Sequence, residues 1–169
     1  MTGEAPIFSR TRKPIILAAL FLLLPLHAFA DAERTLVTKF ASVRYADEQD
    51  LFGFFWRISG KRLALTAGRD LVKDRVDELV ERVEQLLEMY PPDFHFSISL
   101  DGSVLHGSAA EYSHKIRTIF VTRDRVTDGV LAHEIAHAVI SVYFPVPPPQ
   151  RAQEILAQYV DKHLYEEPL

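Results

Sequence analysis

At 169 residues, with 19 Lys+Arg against 23 Asp+Glu, the chain has room for one domain and carries no basic stripe of the kind that grips nucleic acid. It contains no cysteine, which excludes disulfides and lipid attachment at a thiol. Its mild acidity, a formal charge of −4, bears on solubility more than on substrate.

The first segment reads as an export signal. Arg10, Arg12 and Lys13 form a positive start, Ile15 to Leu26 is an uncharged apolar run of 12 residues, and Ala28-Phe29-Ala30 offers an A-x-A cleavage site. Cleavage there would place the mature start at Asp31. A membrane-spanning helix needs about 20 apolar residues, so this run is short for a permanent anchor, and Pro25 and His27 interrupt any longer count. An uncleaved single anchor is the competing reading. Residues 1–30 are thus expected to be a signal peptide and 31–169 a single domain. The 139 residues that remain suffice for one sizeable core without disulfide staples, and their formal charge is −6.

The first strand is expected over Thr35 to Tyr45, although Val37, Phe40 and Val43 are unevenly spaced. Leu51 to Ile58 is rich in apolar and aromatic residues, and its periodicity fits a strand or the start of a short helix. Asp70 to Tyr90 has the clearest helical pattern. Val72, Val76, Leu79, Val83, Leu86 and Tyr90 recur at four-three spacing with charges between them, and Pro91-Pro92 ends the run. Phe94 to Leu100 alternates as a strand with one buried face. Asp101-Gly102 makes a turn, and residues 103–114 read as an irregular loop. Ile116 to Val121 reads as another strand, followed by a polar turn.

A helix is then expected over Thr127 to Tyr143, capped by Thr127 or Asp128 and ended by the cluster Pro145-Val146-Pro147-Pro148-Pro149. A last helix is expected over Arg151 to Leu164. Strands with a long helix, then a strand, then two helices make an α+β layer fold, with a small antiparallel or mixed sheet.

Within the penultimate helix, His133-Glu134-Ile135-Ala136-His137 spells H-E-x-x-H. On a helix, positions i and i+4 share a face, so two imidazoles there can grip one metal ion. Glu134 lies a little round the helix, close enough to reach a metal-bound water without being obliged to ligate. Chance yields this motif in roughly 2 of 100 chains of this composition, so context must carry the argument. Val130, Leu131, Ile135, Ala138, Val139 and Val142 supply an apolar flank, and Ala132 and Ala136 let other backbone come close. The bland alternative is a core helix with two histidines, which would need a partner for each buried polar group.

A catalytic zinc takes three protein ligands and keeps one position open. Glu154 is the best candidate for the third. The 16 residues between it and His137 suffice to finish one helix, turn and return antiparallel. Ala157 permits close packing there, and Gln158 and Asp161, at i+4 and i+7 from Glu154, are expected near its face, where either could orient an imidazole. Asp161 as a solvated charge, and Glu154 as a surface charge, are the competing readings. Tyr159 is turned about 140° from Glu154 and is expected to pack into the core, while His163 points nearly opposite. Tyr112, His106 and His114 could approach the cleft, but exposed loop positions are the expectation for all three.

The run from His133 to Ile140, then prolines, then Glu154-Ile155-Leu156-Ala157-Gln158-Tyr159, resembles the gluzincin metallopeptidases, most nearly the compact, minigluzincin-type peptidase MA-like members. Their second helix typically reads E-G-x-A-x-Y after a proline-rich turn. Ile116 to Val121 also resembles the edge strand that precedes their motif helix. Here Ile155 stands where glycine is usual, and no tryptophan precedes Glu154. The resemblance covers roughly residues 116–164 and implies a zincin-like fold, with His133, His137 and Glu154 holding one Zn²⁺ per chain and Glu134 as general base.

The chemistry so implied is peptide-bond hydrolysis. The zinc would activate water, Glu134 would take its proton and later return it to the leaving amine, and the metal would also polarise the carbonyl. An extended peptide or protein substrate would pair with the edge of the Ile116–Val121 strand. The expected protein is an exported metallopeptidase, periplasmic or secreted, with no nucleic-acid partner and no stable membrane span once the signal is cleaved. Two alternatives stand beside it. One is a zinc-stabilised, non-catalytic peptide-binding module; the other is a membrane-tethered interaction protein using the Asp70–Tyr90 helix as its contact surface.

Overall fold

Leu36, Val43, Ile98, Ile119 and Tyr112 stand in register across five strands and form one continuous row of a mixed sheet. The structure, a computed structural model, describes residues 33–59, 68–102, 105 and 107–166, all within one compact unit spanning Asp31–Leu169. Residues 1–30, expected to be an export signal with its cleavage site, and His106 lie outside the described residues. The element order is β1 (Arg34–Val37), β2 (Ala41–Tyr45), α1 (Glu48–Ile58), α2 (Arg69–Leu87), β3 (Phe96–Ser99), β4 (Ala110–Ser113), β5 (Thr118–Val121), α3 (Asp128–Tyr143) and α4 (Gln150–His163). The strands lie in the order β1-β2-β3-β5-β4, with the outer pairs antiparallel and the two inner pairs parallel. The fold is therefore α+β, with a five-stranded mixed sheet and four helices among the described residues.

Two expectations change and one open reading is resolved. The strand expected over Thr35 to Tyr45 is a hairpin, β1 and β2, broken at Thr38–Phe40. The Thr38 hydroxyl accepts the N–H groups of Phe40 and Ala41 at 3.2 and 2.9 Å, and Asp77 of α2 accepts those of Lys39 and Phe40 at 3.1 and 3.3 Å. Side-chain oxygens thus satisfy donors that a continuous strand would have turned to a neighbour. Leu51, Phe54, Phe55 and Ile58 are buried at helical spacing, which makes the ambiguous segment α1, capped by the Asp47 carboxylate on the N–H of Asp50. The loop expected over residues 103–114 contains β4, and β4 is the sheet edge. The Ile116–Val121 segment, expected to be that edge, supplies the internal strand β5 between β3 and β4. Alternation over only four residues is too short to stand out from a polar loop.

The long α2 stops at Leu87, before the prolines, because Glu88 turns to the left-handed region (φ 53°) and Met89 N–H bonds back to Glu84. Tyr90, counted in its apolar stripe, is exposed. Two arginines one heptad apart on α2 tie down the helices that follow. Arg75 donates to the Ile58 carbonyl at the end of α1 (2.6 Å), to Glu78 (3.1 Å) and to the buried Asp128 carboxylate in the first turn of α3 (3.5 Å). Arg82 donates to the carbonyls of His163, Leu164 and Glu166 at the C-terminal end of α4, where helix carbonyls lack intrahelical donors. Because α3 and α4 run antiparallel, these are the same end of the pair.

Arg75→Ala removes the guanidinium facing Asp128, whose side chain keeps only 13% of its exposure. Breaking a pair so sheltered costs about 2–4 kcal/mol, read as a lower urea midpoint at unchanged slope. Asp128→Asn, which leaves an acceptor for Arg75, is expected to cost less than half of that, and an Arg75→Ala midpoint equal to the parent's would show that the pairing contributes nothing.

Candidate metal centre

Thr127 begins α3 by accepting the N–H of Val130 at 3.3 Å, and the Phe144 N–H, bonded to Ile140, ends it before Pro145. The helix buries Leu131, Ile135, Val139 and Ile140 against the core and turns His133, Glu134 and His137 towards a cleft. After the proline cluster, α4 starts on Pro149, whose carbonyl accepts the N–H groups of Ala152 and Gln153. It returns against α3, and Ala132 and Ala136 of α3 and Ala157 of α4 are all fully buried. Small buried residues on both helices leave room for the backbones to approach, and the return of α4 brings Glu154 to the imidazoles.

The three side chains converge. Glu154 Oε2 lies 3.6 Å from His133 Nε2, and Glu154 Oε1 lies 3.5 Å from His137 Nε2. One ligand atom from each residue lies within 4.8 Å of the others. Those carboxylate–imidazole distances exceed a hydrogen bond, which closes at about 2.7–3.2 Å. They fit a shared ion better: tetrahedral bonds of about 2.0–2.1 Å hold ligand atoms about 3.3–3.4 Å apart. His133, His137 and Glu154 therefore form a group able to hold a metal ion.

Burial holds the His137 pKa below the ordinary imidazole value, and a charge on His133 acts in the same direction; Glu154 and the Gln153 side chain pull the other way. Neutral imidazole is the ligating form, so the pocket favours binding. Gln153 is itself fixed, its amide donating to the Pro148 carbonyl at 2.8 Å. Burial also raises the Glu134 pKa, opposed chiefly by a hydrogen bond from the Tyr112 backbone N–H to Oε2 at 2.8 Å. Glu134 stands outside the ligand group and lines the same cleft of about 500 Å³.

Other expected neighbours fall elsewhere. Gln158 and Asp161 are exposed and make no hydrogen bond to either histidine. A Cβ placed on Gly129 would meet Asp161 Oδ1 at 2.6 Å, so this carboxylate sits a full turn before His133, at the start of α3. Tyr159 is not in the core; it is 45% exposed, stacked on His163, which pairs with Glu166 away from the cleft. Tyr112 is not an exposed loop residue; it is half-buried in β4, with its hydroxyl 2.9 Å from Ser141. His114, at the tip of the β4–β5 hairpin, is exposed and lines the cleft as well. Sequence reasoning named Tyr112 only as an exposed loop residue able to approach the cleft, and missed Ser141 and Gln153; the spacing of Ser141, a heptad beyond Glu134 on one helix face, was the available signal for one of them.

Glu154→Ala is expected to weaken divalent-ion binding by at least about a hundredfold, since even ligand-supporting neighbours contribute tenfold to a hundredfold. Titration with Co²⁺, followed through its tetrahedral absorption bands, measures this; unchanged bands in the variant would remove Glu154 from the site. Comparison of the chain with family models, with curated proteins and with solved structures finds no match, so its chemistry has to be read from the residues of the cleft themselves.

Proposed function

We propose that this chain is an exported zinc metallopeptidase of zincin-like architecture and gluzincin ligand type, which hydrolyses peptide bonds. The convergence of His133, His137 and Glu154 beside a further carboxylate that stands outside the group carries the reading. Two imidazole nitrogens and one carboxylate oxygen are the donor set of catalytic zinc sites that keep a position open for water or substrate. Bound there, zinc supplies Lewis acidity, which makes water a nucleophile near neutral pH and polarises a carbonyl.

The chain's own residues do the rest. Glu134 Oε2 is held by the Tyr112 N–H, which leaves Oε1 to take a proton from water and pass it to the departing amine. Its burial raises the pKa towards the range where a carboxylate trades protons efficiently. The cleft opens along β4, and bonds alternate along an antiparallel edge. Tyr112 N–H points away from β5, so the Tyr112 and Ala110 carbonyls lie on the outer edge, where an extended peptide can add main-chain hydrogen bonds. This moves the substrate from the edge first expected, β5, to β4.

A non-catalytic zinc module fits less well. Structural sites close the fourth position with a protein ligand and need no free carboxylate alongside, whereas the ligand group here has three members among the described residues. Export rests on the basic, apolar and A-x-A pattern of residues 1–30. No helix among the described residues is long and apolar enough to cross a membrane.

Glu134→Gln is expected to retain one zinc per chain while cleavage of a mixed peptide library falls by about 10²–10⁴. A Gln variant that binds zinc and cuts as fast as the parent sinks the peptidase reading. For export, intact-mass measurement of protein recovered from its producing cell is expected to give an N-terminus at Asp31. Recovery starting at Met1 in the membrane fraction would favour the tethered form instead.

A further inference from the structure

Tyr112 is held to α3 at two points. Its backbone N–H donates to Glu134 Oε2 at 2.8 Å, and its phenol lies 2.9 Å from Ser141 Oγ. Glu134 and Ser141 are seven residues apart, two turns along one face of the helix, and His137 lies between them. The direction of the second bond follows from proton counting. Ser141 has one hydroxyl proton and donates it to the Ala138 carbonyl at 2.9 Å, so Ser141 Oγ accepts and the tyrosine O–H donates. The phenol is thereby committed to α3 rather than free in the cleft.

The sheet fixes the other side of the residue. Tyr112 pairs with Ile119, and the neighbouring Ala109 carbonyl accepts the Thr122 N–H at 2.8 Å, so the bonds to β5 come from positions 109, 111 and 113. The outward N–H of Tyr112 is therefore spare within the sheet and goes to Glu134 alone. A carboxylate held through one oxygen by a backbone donor cannot rotate freely, and its second oxygen takes a defined direction. The donor's own place depends on how the short β4 sits on α3.

We propose that Ser141 and Tyr112 form a positioning relay for Glu134: the Ser141–Tyr112 side-chain bond seats β4 on α3, and the Tyr112 backbone amide then orients the carboxylate. Neither residue is a catalytic group. The catalytic consequence rests on the peptidase reading above, whereas the hydrogen-bond relay does not.

The test uses ¹⁵N-labelled, zinc-loaded full chain and its Glu134→Ala, Ser141→Ala, Ser141→Thr and Tyr112→Phe variants. Zinc content and residue-specific amide exchange are measured in each. The Tyr112 amide is expected to exchange about tenfold or more faster in Glu134→Ala, the consequence of losing a charge-assisted bond. It is also expected to speed up in Ser141→Ala and Tyr112→Phe, with bound zinc unchanged and the amides of residues 111 and 113, which face β5, unaffected. Ser141→Thr, which keeps the hydroxyl, should restore the parent rate. In peptide cleavage, Ser141→Ala should lower kcat about tenfold to a hundredfold at unchanged KM. Equal Tyr112 exchange in all variants, or loss spread evenly over β4, overturns the relay and leaves the peptidase reading standing. Selective Tyr112 exchange in a chain that cuts no peptide supports the relay and sinks only the peptidase reading.

Discussion

The distance between the α3 and α4 backbones governs everything that the cleft can do. Glu154 comes within 3.5–3.6 Å of both imidazoles, and the fully buried Ala132, Ala136 and Ala157 leave room for the two helices to lie close. A single added methylene group at that crossing would move the carboxylate by an appreciable fraction of a metal–ligand bond, and close-packed interiors transmit such changes rather than absorb them. The pair is fixed at both ends. Arg75 and Arg82 hold the start of α3 and the end of α4 to α2, and the proline-rich turn joins the opposite ends. The ligand atoms lie between these anchorages, so the triangle they form is set by the scaffold, and less of the binding free energy goes into ordering it.

Much of this geometry was legible in the chain. The H-E-x-x-H spacing, the alanines and the return to Glu154 are local helical facts, and helical periodicity survives into three dimensions because neighbours at i+4 stay neighbours. The long α2 was equally plain, and the hydrophobic alternation of Phe96 and Ile98 marked β3. What was hidden depends on partners distant in sequence. Nothing near Thr38 announces that Asp77 will satisfy two of the turn's amides. Nothing in the four residues of β4 announces that they pair beyond β5, which moves the sheet edge from Ile116–Val121 to Ala110–Ser113. Gln158 and Asp161 failed as supports for the imidazoles because helix periodicity fixes which residues share a face, not which residue of the partner helix each one meets. The antiparallel crossing carries Asp161 back to Gly129, while Gln153, adjacent to the ligand in sequence, reaches His137 from the start of α4.

The charge arrangement of the cleft follows from the same geometry. Glu111, Glu134 and Glu154 line it together with three histidines, and among the described residues no lysine or arginine does. Burial is the main cost of keeping Glu134 ionised, and repulsion from Glu154 and Glu111 adds to it. A divalent cation held by His133, His137 and Glu154 would offset that cost at its source. The charge balance of the site is thus an argument for the ion that is separate from the donor distances.

The edge position of β4 reconciles two demands that conflict elsewhere in the sheet. An interior strand spends all of its backbone donors on its neighbours, so none is left to orient a side chain of α3. An exposed edge strand has spare donors but lacks a second neighbour to hold it in place. Here the spare N–H of Tyr112 meets Glu134, and the phenol of the same residue supplies through Ser141 the attachment that the missing strand would have given. Tyr112 also completes the row that begins at Leu36, so the position of Glu134 is referred back through Ile119, Ile98 and Val43 to the centre of the core. The carboxylate is therefore placed by a sheet and the ligand triangle by a helix pair. The two meet along α3, and a displacement of either one would change the distance between Glu134 and the ligand group without disturbing the other's internal geometry.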